Sequence, residues 1–122
     1  MARPTADPSD ALPLSPAVFH ILLALADEDR HGYAIMQEVE GRTGGAMRLG
    51  PGTLYGAIKR LREQELIEEV EDPAEPTVVE ERRRYYRLTA LGRRVAVLEA
   101  ERLERMVDAA RAKRLIASAR SA

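Results

Sequence analysis

Leu54, Ala57, Ile58 and Leu61 recur at i, i+3, i+4 and i+7, the spacing of a helix that buries one stripe. Pro51 suits the first helical position, where a missing N–H costs nothing, so this segment predicts a helix from Pro51 to about Glu65. At about 100° per residue, Gly52, Tyr55, Gly56 and Lys59 fall on the opposite side. Two glycines beside a tyrosine and a lysine solvate a helix poorly. They suit close approach to a phosphate backbone and to base edges.

The same reading extends along the chain. Residues 1–14 are rich in Pro, Ala and Asp and are expected to form a disordered arm. Ser15-Pro16 is an N-cap followed by proline and opens a helix that is apolar nearly all round, from Val18 through Leu25. Asp27 to Arg30 is a polar turn, and His31-Gly32-Tyr33 leads into a second helix whose buried side is Ile35, Met36 and Val39. Gly41 and Gly44-Gly45 bracket its end. After the third helix, Leu66 to Glu71 reads as a strand, Asp72 to Pro76 as a breaker cluster, and Arg82 to Leu88 as a second strand. Thr89 caps a last helix running to about Ile116. Three helices, a hairpin and a helix make a mainly α (α+β) fold, a winged helix-turn-helix with a two-stranded wing. The expected divisions are an arm at 1–14, a winged-helix domain at 15–89, a C-terminal dimerisation helix at 90–117 and a tail at 118–122.

Charge changes this picture more than composition does. The net charge of the 122 residues is −1, which by itself does not point to nucleic acid. The distribution does: residues 41–62 hold five basic side chains and no acid, 63–81 hold nine acids and no base, and 82–94 hold six arginines and no acid. The bland alternative is that these blocks are solvated faces that pair with one another. There is no cysteine, so no disulfide framework and no thiolate zinc site, which fits a reducing cytoplasm. The N-terminal run has no signal-peptide core, and the longest apolar run, Ile21 to Ala26, is too short to span a bilayer.

On the last helix Leu91, Val95 and Leu98 form one stripe, while Ala96, Ala100, Leu103, Val107 and Ala110 form a second, rotated by about 140°. An apolar face with no partner in its own chain usually meets another chain. A two-fold homodimer through Leu103, Met106, Val107 and Ala110 is therefore expected, with Glu99, Arg102, Glu104 and Arg105 flanking the seam as pairing charges.

Taken in order, His31-Gly32-Tyr33, Pro51-Gly52-Thr53-Leu54-Tyr55, Lys59-Arg60-Leu61, Leu66-Ile67, Arg83 to Thr89 and Gly92 resemble the PadR family of bacterial transcriptional regulators over roughly Leu14 to Glu99. The resemblance implies a homodimeric winged helix that binds operator DNA, usually as a repressor, with the helix around Tyr55 and Lys59 as recognition helix. It also implies, in some relatives, a small aromatic or drug-like effector held between the dimerisation helices and the core. This chain has no Trp and a single Phe, so any such pocket would use Phe19, Leu22, Met106 or neighbouring aliphatics. Its wing tip, Glu69 to Glu81, is unusually acidic, which leaves wing contact with phosphate to Arg82, Arg83 and Arg84.

The candidate DNA-binding residues are Tyr33, Pro51, Gly52, Thr53, Tyr55, Lys59, Arg60, Arg82 and Arg83. Each has a plainer reading: Lys59 and Arg60 as solvated charges, Tyr55 and Tyr33 as packing rings, Thr53 as a cap, Arg82 and Arg83 as partners of the acidic strand. His20 reads as a core-facing histidine and His31 as the organiser of the turn before Gly32. These two alone do not make a metal site. No cofactor is expected, and nothing assembles an enzyme: there is no Ser-His-Asp pattern, and Gly50-Pro51-Gly52 lacks the preceding strand and the lysine of a P-loop. The rival function is a winged helix used as a protein–protein interaction module without DNA binding. Such a module would tolerate acids where residues 41–62 have none.

Overall fold

Ser15 Oγ accepts a hydrogen bond from the Val18 N–H at 3.2 Å, and Pro16 follows it, so helix α1 (Pro16–Ala24) starts where its cap and its preset backbone demand. Ile21, Leu22 and Ala24 have no exposed surface, which makes α1 the centre of the core. The computed structural model describes residues 7–71 and 84–117. A 3-10 turn at Pro8–Ala11 precedes α1, and Leu12 and Leu14 pack against the core. Part of the segment expected as a disordered arm is thus a strap laid on the domain.

Strand β1 (Arg30–His31) leads directly into helix α2 (Gly32–Arg42). His31 is the cap of α2: its Nδ1 accepts from the Ala34 N–H at 3.2 Å, which puts the ring proton of the neutral form on Nε2. The histidine therefore organises the entry to α2, as the sequence predicts. A loop with Gly44 and Gly45 at φ 62° and 84° carries the chain to helix α3 (Pro51–Glu63). Strand β2 (Ile67–Glu71), strand β3 (Arg84–Leu88) and helix α4 (Ala90–Ala112) complete the order.

The three strands form one antiparallel sheet in the order β1-β3-β2. In register, Ile67 faces Leu88, Glu69 faces Tyr86 and Glu71 faces Arg84, while Arg30 lies beside Tyr86 on the other edge. The inner face begins with buried Ile67 and Tyr86 and turns charged outward along the wing. The wing is thus the expected hairpin with one short strand added at the root. The described part of its second strand begins at Arg84, and Arg82 and Arg83 lie outside the described residues.

Three elements meet at one joint. The chain leaves α3 through Glu65, at φ 64°, and Leu66 N–H returns to the Leu61 carbonyl at 2.9 Å. Thr89 then closes the joint. Its N–H donates to Leu66 O at 3.1 Å, its hydroxyl donates to Glu65 O at 2.6 Å, and its Oγ1 accepts from the Gly92 N–H at 2.9 Å. A side chain at Gly92 would stand on the Leu66 carbonyl, with its Cβ 2.8 Å from the carbonyl carbon, so only glycine lets α4 approach β2 this closely.

Helix α4 buries Gly92, Val95 and Glu99, all in its first half, and stops at Ala112 rather than near Ile116. Arg114, at φ 65°, turns the chain there, and the Leu115 N–H reaches back to Ala110 O at 2.9 Å. Glu99, expected as an exposed pairing charge, is 1% exposed. Its carboxylate accepts from Arg102 at 2.7 and 2.9 Å and from the Leu14 N–H of the strap at 3.2 Å. The pairing is within the chain because the strap, absent from a helix-only reading, covers this face of α4.

The Arg102 hydrogen bond holds the Glu99 carboxyl below its ordinary value of 4.5; burial opposes this and the Leu14 N–H adds to it. A depressed folded-state value means that this contribution is full above the unfolded value and is lost as pH falls through the folded one. Urea unfolding of Glu99→Ala near neutral pH should show a loss of about 1–3 kcal/mol, since Arg102 and the Leu14 N–H lose their acceptor. In Glu99→Gln the stability lost by the native protein below about pH 4.5 should shrink.

Candidate nucleic-acid interface

Helices α1, α2 and α4 each start on a side-chain cap, from Ser15, His31 and Thr89. Helix α3 starts on Gly50, which has no side chain to offer, and carries no acid in its first turn. The N–H groups of Gly52 and Thr53 therefore point out of the helix with no capping side chain, at its positive end. Backbone donors of this kind suit a phosphate oxygen.

The outer face of α3 is bare along its first two turns, before Lys59 and the exposed Glu63. A Cβ added at Gly52 would meet no heavy atom within 4 Å, and one at Gly56 would meet only the Arg60 guanidinium at 3.7 Å. Neither glycine has a positive φ. The fold thus requires neither, although glycine inside a helix destabilises it by about 0.5–1 kcal/mol relative to alanine. The buried stripe is the expected one: Leu54, Ala57, Ile58 and Leu61 are its four buried residues.

Tyr55 is 47% exposed, and its ring lies across the first turn of α2, where a Cβ on Gly32 would come within 2.7 Å of Tyr55 Cζ. The ring both spaces α2 from α3 and presents an edge outward. Tyr33, 60% exposed, stands at the same end of α2. Pro51, Gly52, Thr53, Lys59 and Arg60 are all exposed on α3, so seven of the nine candidate residues sit at one end of the helix pair or along α3. The other two, Arg82 and Arg83, lie outside the described residues.

The basic block 41–62 is not a single surface. Arg42 turns back onto α1 and α2, donating to Glu38 at 2.7 Å and to the His20 carbonyl at 3.2 Å, with its Nη1 2.8 Å from His20 Nδ1. His20 is therefore a half-buried partner of Arg42 rather than a core-facing ring. Burial and then the Arg42 charge lower its pKa. Arg48 pairs with Glu40 at 3.5 Å, and Arg62 with Glu69 at 3.4 Å. Lys59 and Arg60 remain without an ion pair among the described residues.

The predicted dimer residues lie on the part of α4 that overhangs the domain. Beyond Glu99 no residue of α4 is buried. Met106 is 57% and Val107 41% exposed, while Leu103 and Ala110 are half-buried. Leu22 is fully buried in the core and has no surface with which to line an effector pocket beside Phe19 and Met106. Among the described residues no cluster of His, Cys, Asp or Glu is arranged to hold a metal ion, and no helix is long and apolar enough to cross a membrane.

A helix pair presenting an uncapped third helix beside a small antiparallel wing defines a winged helix-turn-helix protein. Residues 21–97 match the model of the transcriptional regulator PadR-like family, and the chain belongs to that family. It is 40% identical over 86 residues to an uncharacterized 37.1 kDa protein in transposon TN4556 of Streptomyces fradiae, a match covering 70% of this chain but 22% of that protein's length. Among solved structures, a transcriptional regulator from Clostridium thermocellum superposes with a TM-score of 0.65 at 26% identity, covering 75% of this chain and 86% of that one. Bacillus subtilis PadR in complex with operator DNA superposes with a TM-score of 0.60 at 19% identity, covering 75% of this chain and 48% of that one, a likeness of fold.

The glycines of α3 and of α4 separate function from stability. Gly56→Ala, alone or with Gly52→Ala, should raise the melting temperature by a few degrees, the consequence of about 0.5–1 kcal/mol per helical site. Gly92→Ala should lower it, because a backbone carbonyl occupies the space. Thermal unfolding of the three variants checks the contrast; destabilisation by Gly56→Ala would mean that the fold itself needs the bare face.

Proposed function

We propose that this chain is a sequence-specific DNA-binding transcriptional regulator of the cytoplasm, acting as a homodimeric repressor. The observation that carries the reading is the outer face of α3. It has an uncapped start, two glycines the fold does not use, and two basic side chains without ion pairs among the described residues. Phosphate contacts position a protein on the duplex, and base-edge contacts give it sequence preference. The N–H groups of Gly52 and Thr53, with Arg60, suit the first role. Lys59, flanked by the bare positions, is placed for a base edge or a phosphate deep in the major groove. Tyr33 and Tyr55 would seat the backbone at the start of α2 and α3. The overhang of α4 supports the dimer: Met106 and Val107 are exposed and Leu103 and Ala110 half-buried, an apolar seam that the described residues of the chain cover only in part.

Binding should be salt-dependent, with a slope set by the number of phosphates neutralised, about 0.9 per contact. Lys59→Ala should flatten the slope by about one, or relax one base preference if the lysine reads a base. Fluorescence anisotropy against a duplex selected from a random pool measures both. Wild-type slope and affinity in a Lys59→Ala/Tyr55→Ala variant would remove α3 from the mechanism.

The dimer is tested separately. Leu103→Glu should sediment as a monomer and bind the full site more weakly, because two half-sites about 10 bp apart are no longer linked. A wild-type monomer, or an unchanged dimer in the variant, would contradict the seam.

A further inference from the structure

The cleft between α3 and the wing holds an arrangement that DNA binding alone does not explain. The inner face of β2 runs from buried Ile67 to Glu69, which leans toward α3. One oxygen of the Glu69 carboxylate is 3.4 Å from Arg62 Nη1 on α3, and the other is 3.6 Å from Arg84 Nε on β3. Arg62 lies about 60° round the helix from Lys59, on the side of Tyr55, and so belongs to the same exposed half of α3. Both arginine side chains are well exposed, at 45% and 68%. On the outer face of the wing Glu68 holds Arg87 in the same way at 2.9 Å. Exposed pairs of this kind are weak and salt-screened. They add little to folding, but such a pair must be given up before either guanidinium group can reach a phosphate.

We propose that Glu69 is a specificity-setting residue: its carboxylate stands in for a phosphate, holding Arg62 and Arg84 in the α3–wing cleft and withholding them from duplex DNA of any sequence. The partner chemistry is the phosphodiester backbone, and the inference rests on the DNA-binding reading above. A free pair of arginines at this cleft would add affinity for every duplex equally, since phosphate contacts carry no sequence information. Sharing one carboxylate between them offsets half of their charge and occupies both guanidinium groups, which lowers binding to unrelated DNA and leaves discrimination to the bare face of α3.

The test compares salt slopes on an unrelated duplex and on a selected one. In Glu69→Gln each released arginine should steepen the slope by about 0.9. Between 50 and 200 mM salt the affinity of the variant should then fall about 3.5-fold further than that of the wild type for one arginine, and about 12-fold further for two. The ratio of selected to unrelated binding should drop. Glu69→Ala should behave alike, because charge rather than shape is at issue. Arg62→Gln/Arg84→Gln should leave the wild-type slope unchanged and abolish the gain in the Glu69→Gln background, a pattern that a merely structural role would not produce. An unchanged slope in Glu69→Gln, or an equal loss of slope from the two arginine substitutions with Glu69 present, would overturn the proposal while DNA binding stands. Failure of the wild type to bind any duplex would overturn the functional reading itself, and this inference with it.

Discussion

The Leu66 carbonyl, with Gly92 closed down upon it, is the contact on which the rest of the arrangement depends. It joins the exit of α3, the root of the wing and the first turn of α4 within a few residues, and Thr89 ties all three with hydrogen bonds from its backbone and hydroxyl. A contact between backbone groups has no rotamers to relax, so it holds the start of α4 against the exit of α3 more rigidly than side-chain packing would. Whatever fixes the start of α4 in an assembly thereby constrains the exit of α3. The buried Glu99 continues the same logic one turn further on, where the strap from Pro8 to Leu14 is pinned to α4 through Arg102 and the Leu14 N–H.

Electrostatics on this chain is a matter of which cations are left over. Arg42, Arg48, Arg62, Arg84 and Arg87 all have carboxylate partners, whereas Lys59 and Arg60 on α3 have none among the described residues. A chain of net charge −1 can therefore present a basic, uncapped helix end without being basic as a whole. The bland reading of the charge blocks, that they pair with one another, holds for Arg62, Arg84 and Arg87, whose partners Glu68 and Glu69 lie in the acidic block, while Arg42 and Arg48 pair with Glu38 and Glu40 of α2. The functional reading survives on the few that it does not cover.

The helices were legible because their signals are local: a cap and a proline at Ser15-Pro16, a cap at Thr89, and a 3.6-residue apolar period on α3. The bare face of α3 followed from the same period, and so did the exposure of Met106 and Val107 on α4. Strand β1 was not legible, since two residues carry no periodicity and their partner, β3, is more than fifty positions away. The strap and the burial of Glu99 were missed for a related reason: a Pro- and Asp-rich segment looks disordered until the face of α4 that it covers is known. The role of Arg62 is not legible in the sequence, because its pairing with Glu69 crosses from helix to wing. His20 was assigned to the core from the apolar run around it, yet its ring meets Arg42 at the surface.

The central claim is that α3, held by the Leu66–Gly92 joint, is the surface that meets DNA. Amide chemical-shift mapping of the labelled protein, titrated with a duplex selected from a random pool, addresses it most directly. The account predicts that the largest changes fall on residues 51–60 and at Tyr33, with α4 beyond Glu99 unmoved. Shifts confined to the far half of α4, or to the outer face of the wing with α3 silent, would contradict it.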